Sequence, residues 1–428
     1  MKALLLAVGL SSFLRGGLHA YPYDARLDTA LAGDFKKAIC AFSGGSELYS
    51  RLAREGEQNS RRRVLLRFDK GPWLAYFLRQ ENVIYLNTRF ITKFFGVKKR
   101  ADTEVIEILL KNTKARAELV KRADSVYLHE LVHALQSYQY PDYGGPRSAI
   151  PLEFEYEAYF TEDLYTHEKM KRYPKLLKAF ISGSYSDPYT ENALGGYLTL
   201  SLDPEAYRRR IRRKYEEELG GYLSFERAET DGNNSVRDAK ILSYASGKVG
   251  DYIDKTEALE RLRGEKEIYD RYLEDFYLKR WPAFSAEALL LAGSAALEAK
   301  NYPLALDCLA VADENAVKYG VHRAELLSLK AKGALAILAA ADFTRDNSSK
   351  MPLEILSQHL KALEKACDRT GRPFPAGLSA LRDKTYPAAA AWYSREAGRA
   401  KDPDRLEYFR ENAGYFSGAA VKISQKIR

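Results

Sequence analysis

The chain has 428 residues, of which 46% are hydrophobic and 29% charged, and 67 basic against 58 acidic residues give a net charge of +9. That length accommodates two or three domains at about 100–200 residues each, and the ordinary composition excludes a wholly disordered chain, a collagen or a coiled-coil rod. No run of about 18 uninterrupted apolar residues occurs, which excludes a multi-span membrane protein, and three cysteines (Cys40, Cys308, Cys367) are too few for a disulfide scaffold.

In chain order, residues 1–20 read as an export signal. Lys2 supplies a positive start, 3–14 is an apolar stretch too short to cross a bilayer, and Leu18-His19-Ala20 puts a small residue at the cut. A buried or interfacial N-terminal helix is the alternative. With the signal removed, the mature chain starts near Tyr21 and works outside the cytoplasm, where nucleic acid is not an expected partner.

Residues 24–58 have helical spacing, with Leu27, Ala30, Leu31, Phe35 and Ile39 on one face and Leu48 and Leu52 on a second segment. Three β-type runs follow, at 64–68, 73–78 and 83–87, parted by Gly71-Pro72 and by residues 79–82. They predict a small, largely antiparallel sheet. Helix returns over 103–139, with Val126, Leu128, Leu131, Val132 and Leu135 apolar, and stops at Tyr140-Pro141. A further helix follows Pro151, a residue suited to a first helical turn. The stretch 175–280 is polar and helical in pattern, with loops near 182–189 and 231–234. Within it, Arg208-Arg209-Arg210-Ile211-Arg212-Arg213-Lys214 precedes Glu216-Glu217-Glu218. This reads as a solvated helix with opposite charges three and four apart, or as a patch for acidic lipid or polymer.

Beyond Trp281-Pro282 the composition shifts to Ala and Leu. Leu289, Ala292, Gly293, Ala296, Tyr302, Ala305, Leu309 and Ala312 resemble one tetratricopeptide-type helical hairpin, turning at Asn301-Tyr302-Pro303. The next thirty-odd residues repeat it loosely through Ala324, Leu327, Ala331 and Ala334. Helices are expected at about 353–366, 376–400 and 403–425.

The chemistry concentrates in His129-Glu130-Leu131-Val132-His133. On a helix, residues four apart lie about 40° apart in azimuth and one turn along the axis, so both imidazoles leave one face and can meet on a single metal ion. Glu130 lies about 100° round the same helix, within reach of a water on that ion. The chain has six histidines, which makes a chance pairing at this spacing improbable. A third ligand is available downstream in Glu153-Phe154-Glu155-Tyr156-Glu157-Ala158, where spacing alone does not separate the three glutamates.

These strings resemble the HExxH metallopeptidases of the gluzincin type, whose third ligand is a glutamate on a following helix, often in an E-x-x-A motif. The resemblance covers about 127–163. It implies an α+β zincin-like catalytic domain, built on a small antiparallel sheet and an active-site helix. It also implies Zn2+ held by His129, His133 and Glu155, with Glu157 or Glu153 as substitutes, and Glu130 as general base on a zinc-activated water. These families often carry Asp or Asn directly after the alanine to support a ligand histidine; Tyr159 stands there instead. His167, Tyr156 and Tyr165 are candidates for stabilising the oxyanion. Strand 83–87 would suit an edge that pairs an extended substrate, or would simply roof the helix.

The expected organisation is a signal peptide (1–20), a metallopeptidase domain (21–200), a helical connecting region (201–281) and an all-α, helical-hairpin region (282–428). The expected activity is hydrolysis of peptide bonds in an exported peptide or protein substrate, with a protein partner docked by the C-terminal helices. The alternatives are a helical-repeat scaffold with an inactive metallopeptidase-like domain, and a zinc hydrolase acting on a non-peptide amide. His322 and His359 read as ordinary helix or surface residues. Ser246-Gly247-Lys248-Val249 lacks the features of a phosphate-binding loop.

Overall fold

The computed structural model describes residues 24–58, 63–71, 73–94, 102–141, 150–184, 187–219, 222–224, 240–242, 252–254, 268, 270, 279–301, 303–305, 307–308, 311–312, 344–345, 348, 352–371, 373–401 and 403–427. The signal expected over 1–20, the loop at 231–234, the string 246–249, His322 and the looser repeat through Ala324–Ala334 lie outside the described residues. The chain is mostly helical with a small sheet, and it divides into two units, Met1–Ala288 and Leu289–Arg428.

The first unit opens with α1 (Ala25–Ile39) and α2 (Ser43–Gln58). Asp24 starts α1 by accepting from the backbone N–H groups of Arg26 and Leu27 at 2.9 and 3.1 Å. Leu27, Leu31, Phe35 and Ile39 follow at one-turn intervals, and all are buried. At the corner into α2, a Cβ on Gly45 would fall 2.2 Å from the Ile39 carbonyl oxygen, so the tight turn requires glycine. Asp28, also buried, accepts from the backbone N–H of Leu66 at 2.8 Å and pairs with Arg63, which ties α1 to the first strand.

The strands are β1 (Leu65–Asp69), β2 (Ala75–Leu78) and β3 (Val83–Asn87), in the order β1-β3-β2. β3 pairs parallel with β1 (Leu65 opposite Val83) and antiparallel with β2 (Leu78 opposite Val83). The sheet is therefore mixed rather than largely antiparallel, and β3 is its centre rather than an edge open to substrate. The physical reason lies in the run Val83-Ile84-Tyr85-Leu86: it is apolar without alternation, and all five residues of β3 are buried, which only an interior strand can satisfy. The crossing loop is held over the end of β3 by Asn87, whose side-chain amide donates to the carbonyls of Gly71 and Trp73.

After α3 (Thr88–Phe94), the expected single helix is two: α4 (Asp102–Lys111) and α5 (Thr113–Gln139). Asn112 causes the break by capping α5, accepting from the N–H groups of Lys114 and Ala115 at 3.0 and 3.1 Å. α5 is the central helix of the unit. Val126, Leu128, Leu131, Val132 and Leu135 are buried, and Tyr127 stacks on Phe35 of α1 at 4.3 Å. The two-residue strand β4 (Ile150–Pro151) leads into α6 (Leu152–Arg172), which packs on α5.

α7 (Pro174–Ile181), α8 (Pro188–Leu202) and α9 (Pro204–Arg212) follow; α9 runs directly into a π-helical stretch, Arg213–Leu219. Next comes β5 (Tyr222–Leu223), parallel to β4 with Ile150 opposite Tyr222; β6 (Lys240–Leu242) and β7 (Tyr252–Asp254) form a separate pair. The helix α10 (Trp281–Glu298) begins in this unit. The Trp281 indole donates to the Leu200 carbonyl at 3.0 Å, and Phe284 packs among Phe160, His167 and Tyr197.

In the second unit, α11 (Leu353–Thr370), α12 (Ala376–Arg399) and α13 (Pro403–Ile427) stand where the periodicity puts them. Tyr393 of α12 stacks on Phe416 of α13 with ring centroids 5.5 Å apart. Cys308 and Cys367 are both buried free thiols, not a disulfide.

Candidate metal centre

α5 and α6 cross so that His129, His133 and Glu155 converge. The Nε2 atoms of the two histidines stand 3.1 Å apart. Glu155 brings Oε2 to 3.6 Å from His129 Nε2 and Oε1 to 3.5 Å from His133 Nε2. Two donors bound tetrahedrally to one ion at ~2.0–2.1 Å are about 3.3 Å apart, close to the separation of the two nitrogens and to that of each nitrogen from its nearer Glu155 oxygen.

Hydrogen bonds on the outer side of each ring decide what the inner side offers. His129 Nδ1 donates to Glu162 Oε2 at 3.2 Å, and His133 Nδ1 donates to Gln136 Oε1 at 2.9 Å. Gln136 is itself oriented by donating Nε2 to the Phe154 carbonyl and to Glu157 Oε2, both at 3.0 Å. With the protons placed on Nδ1, both Nε2 lone pairs face each other beside a carboxylate, an arrangement that a cation between them would satisfy. Glu155 Oε2 is buried without a hydrogen-bond partner, which is what a ligand atom looks like before its ion is counted.

The electrostatics agree. Burial opposes the charged imidazole at His129 and His133, but the neighbouring carboxylates outweigh it and raise both above the ordinary histidine value. Burial alone would raise the Glu155 carboxyl, yet the His133 and His129 imidazoles beside it hold it far below the usual range. A pocket that draws protons onto these nitrogens draws a divalent cation for the same reason.

The three glutamates that spacing left equivalent are separated by the helix. Glu153 and Glu157, four apart, share a face of α6, and Glu155 lies about 160° round from both. Glu153 accepts from Ser224 at 3.0 Å, Glu157 accepts from Gln136, and Glu155 alone of the three faces the imidazoles. Glu130 is buried next to His129. Its carboxylate makes no hydrogen bond to another described residue, and burial raises its pKa against the opposing pull of the two imidazoles.

The oxyanion candidates are elsewhere. His167 lies twelve residues along α6 from Glu155, about 18 Å by helical rise, and its ring meets the Tyr197 hydroxyl and Glu287 at 3.2 and 3.0 Å. Tyr165 donates to Asp124 in the core at 2.8 Å, and Tyr156 lies under Arg208. Sequence reasoning missed the groups that do border the centre. Tyr159 sets its ring edge-on to His129 at 4.4 Å, its hydroxyl meets Lys214 and Tyr215, and Tyr222 brings its hydroxyl beside Glu155. The β4–β5 pairing places Tyr222 there, a contact with no local sequence signal. Support for His129 comes from Glu162 rather than from residue 159; the carboxylate at the i+7 position from Glu155 was the available clue.

Comparison with protein-family models, with curated proteins and with solved structures finds no match to this chain. What identifies the centre is its own geometry: a His129, His133 and Glu155 group, set deep between two helices, that could hold a metal ion.

Proposed function

We propose that this chain is a zinc-dependent metallopeptidase of the gluzincin type, with a zincin-like catalytic domain over 21–200 and an exported place of work given by its first twenty residues. One observation carries the proposal: two imidazole nitrogens 3.1 Å apart, each within 3.6 Å of one oxygen of the Glu155 carboxylate. Two nitrogen donors and one oxygen donor suit zinc, and three protein ligands leave a coordination position for reactants. Zinc held there supplies a Lewis acid for the peptide carbonyl and brings the pKa of water to about 7.

The chain's own residues do the rest. Glu162 and Gln136 fix the two rings so that Nε2 faces inward. Glu130 takes the proton of the attacking water and delivers it to the departing amine. Burial raises its pKa above the ordinary carboxylate value, the direction a general base working near neutral pH needs. A scaffold has no use for a buried carboxylate with no hydrogen-bond partner among the described residues, which favours the hydrolase over the binding-module alternative.

Metal analysis of the purified full chain tests the ligand set: about one zinc per chain is expected, lost in His129→Ala. Incubation with a denatured protein tests the activity, with cleavage expected from wild type and none from zinc-loaded Glu130→Gln. Zinc bound without cleavage by wild type would favour the scaffold.

A further inference from the structure

The charge run that the sequence presents as a solvated face turns two cations inward: Arg208, which pairs with Glu205 at 3.3 Å, and Lys214. Arg209 and Arg210 are exposed, and Arg212 pairs with Glu216 one turn on at 3.7 Å. Lys214 instead lies half-buried in the π-helical stretch, a rare backbone form frequent at functional sites. Its ammonium donates to the hydroxyls of Tyr159 and Tyr215 at 3.0 and 3.1 Å, and stands 4.6 and 5.1 Å from the ring centroids of Tyr215 and Trp73. Because Tyr159 also abuts the His129 ring, the charge is one aromatic ring away from the metal centre.

Lys214 has no ion pair among the described residues. Glu155 acts on it electrostatically but forms no ion pair with it, its carboxylate facing the two imidazoles. Beside it, the indole Nε1–H of Trp73 is buried with no acceptor. Two donors, one of them an ammonium, thus lie side by side next to the hydroxyls of Tyr159 and Tyr215. Ring faces and hydroxyl dipoles compensate a half-buried ammonium only in part, and a carboxylate complements both donors.

The geometry points to Lys214 and Trp73 as a carboxylate-recognition element that holds an anionic group of the peptide, either an Asp or Glu side chain or the terminal carboxylate, next to the bond that is cut. The term substrate rests on the peptidase proposal; the recognition of a carboxylate does not.

A binding assay therefore tests it. Full-length Glu130→Gln protein, loaded with zinc and immobilised, is offered one synthetic peptide library in three forms: unmodified, with Asp and Glu replaced by Asn and Gln, and amidated at the C-terminus. The unmodified form should be retained about ten- to a hundredfold better than one of the neutralised forms, the worth of a charge-assisted hydrogen bond. The arm that loses retention names the source of the carboxylate. Adding Lys214→Met should abolish the preference, Lys214→Arg should keep most of it, and Trp73→Phe should reduce it without removing the charge. Equal retention of all three forms overturns the inference, as does a preference that survives both Lys214→Met and Trp73→Phe. Should Lys214→Met fail to fold, the library forms and Trp73→Phe still decide. Acid-selective retention with no cleavage by wild type would keep this inference and remove the peptidase; cleavage with no acidic preference would do the reverse.

Discussion

Glu162 accepts a hydrogen bond from Nδ1 of His129 at 3.2 Å, from a position two turns past Glu155 on α6. One helix thus contributes both the carboxylate of the candidate centre and the group that orients a histidine on the neighbouring helix. Outer groups of this kind typically govern metal affinity by about ten- to a hundredfold. Glu162→Gln should therefore weaken zinc binding by that factor, read by competition with a chromogenic chelator, while the fold is retained. An unchanged affinity would remove Glu162 from this role.

Gln136 ties His133 to Glu157 and to the Phe154 carbonyl at once. Gln136→Ala leaves buried polar groups without partners on both helices, a loss of about 1–3 kcal/mol. Chemical denaturation should show that destabilisation even in the metal-free protein, and the variant should also bind zinc less tightly. Full stability in Gln136→Ala would show that water satisfies these groups instead.

Glu130→Gln keeps the shape of the side chain and removes its basicity. Zinc content should match wild type, and kcat should fall by about a hundred- to ten-thousandfold, the usual worth of a positioned general base. Residual turnover near the wild-type rate excludes Glu130 as the base.

Removal of the metal leaves two lone pairs 3.1 Å apart beside a carboxylate. The chain should therefore unfold at lower temperature in chelator than in zinc, the gain being about 2.7 kcal/mol at a hundredfold excess over Kd. Calorimetry of wild type and His129→Ala checks this: the zinc-dependent shift should vanish in the variant.

His167 provides a pH test independent of the metal. Burial holds its imidazole below the ordinary value of 6.5, against the pull of Glu287. The folded state then binds this proton less readily than the unfolded chain, so His167 costs stability as pH falls below about 6.5 and costs none above it. Relative to His167→Gln, wild type should lose stability between about pH 7.5 and 5.5. Zinc content and turnover should not change, since the ring is far along α6 from Glu155. A collapse of turnover would restore His167 to the catalytic group.

The histidine pair was legible because it is local. A four-residue spacing on a helix sets the azimuth of two rings whatever surrounds them, and the apolar residues Leu128, Leu131, Val132 and Leu135 already marked the buried helix. The burial of Leu27, Leu31, Phe35 and Ile39 followed from period alone in the same way. Thirty tyrosines are spread along the chain, so nothing in composition sets Tyr159, Tyr215 and Tyr222 apart. Likewise the basic run 208–214 reads as one solvated face until a π-helical stretch turns Lys214 inward.

The sequence by itself determined which helix carries the two nitrogen donors, where the carboxylates lie, and where the C-terminal helices α11 to α13 run, since each depends on neighbours within a turn or two. Only the tertiary structure decided which of three glutamates faces the rings, that β3 lies inside a mixed sheet, and that Glu162 and Gln136 hold the imidazoles. Those outcomes depend on how α5 crosses α6 and how β4 pairs with β5, contacts between residues far apart in the chain that no local period encodes.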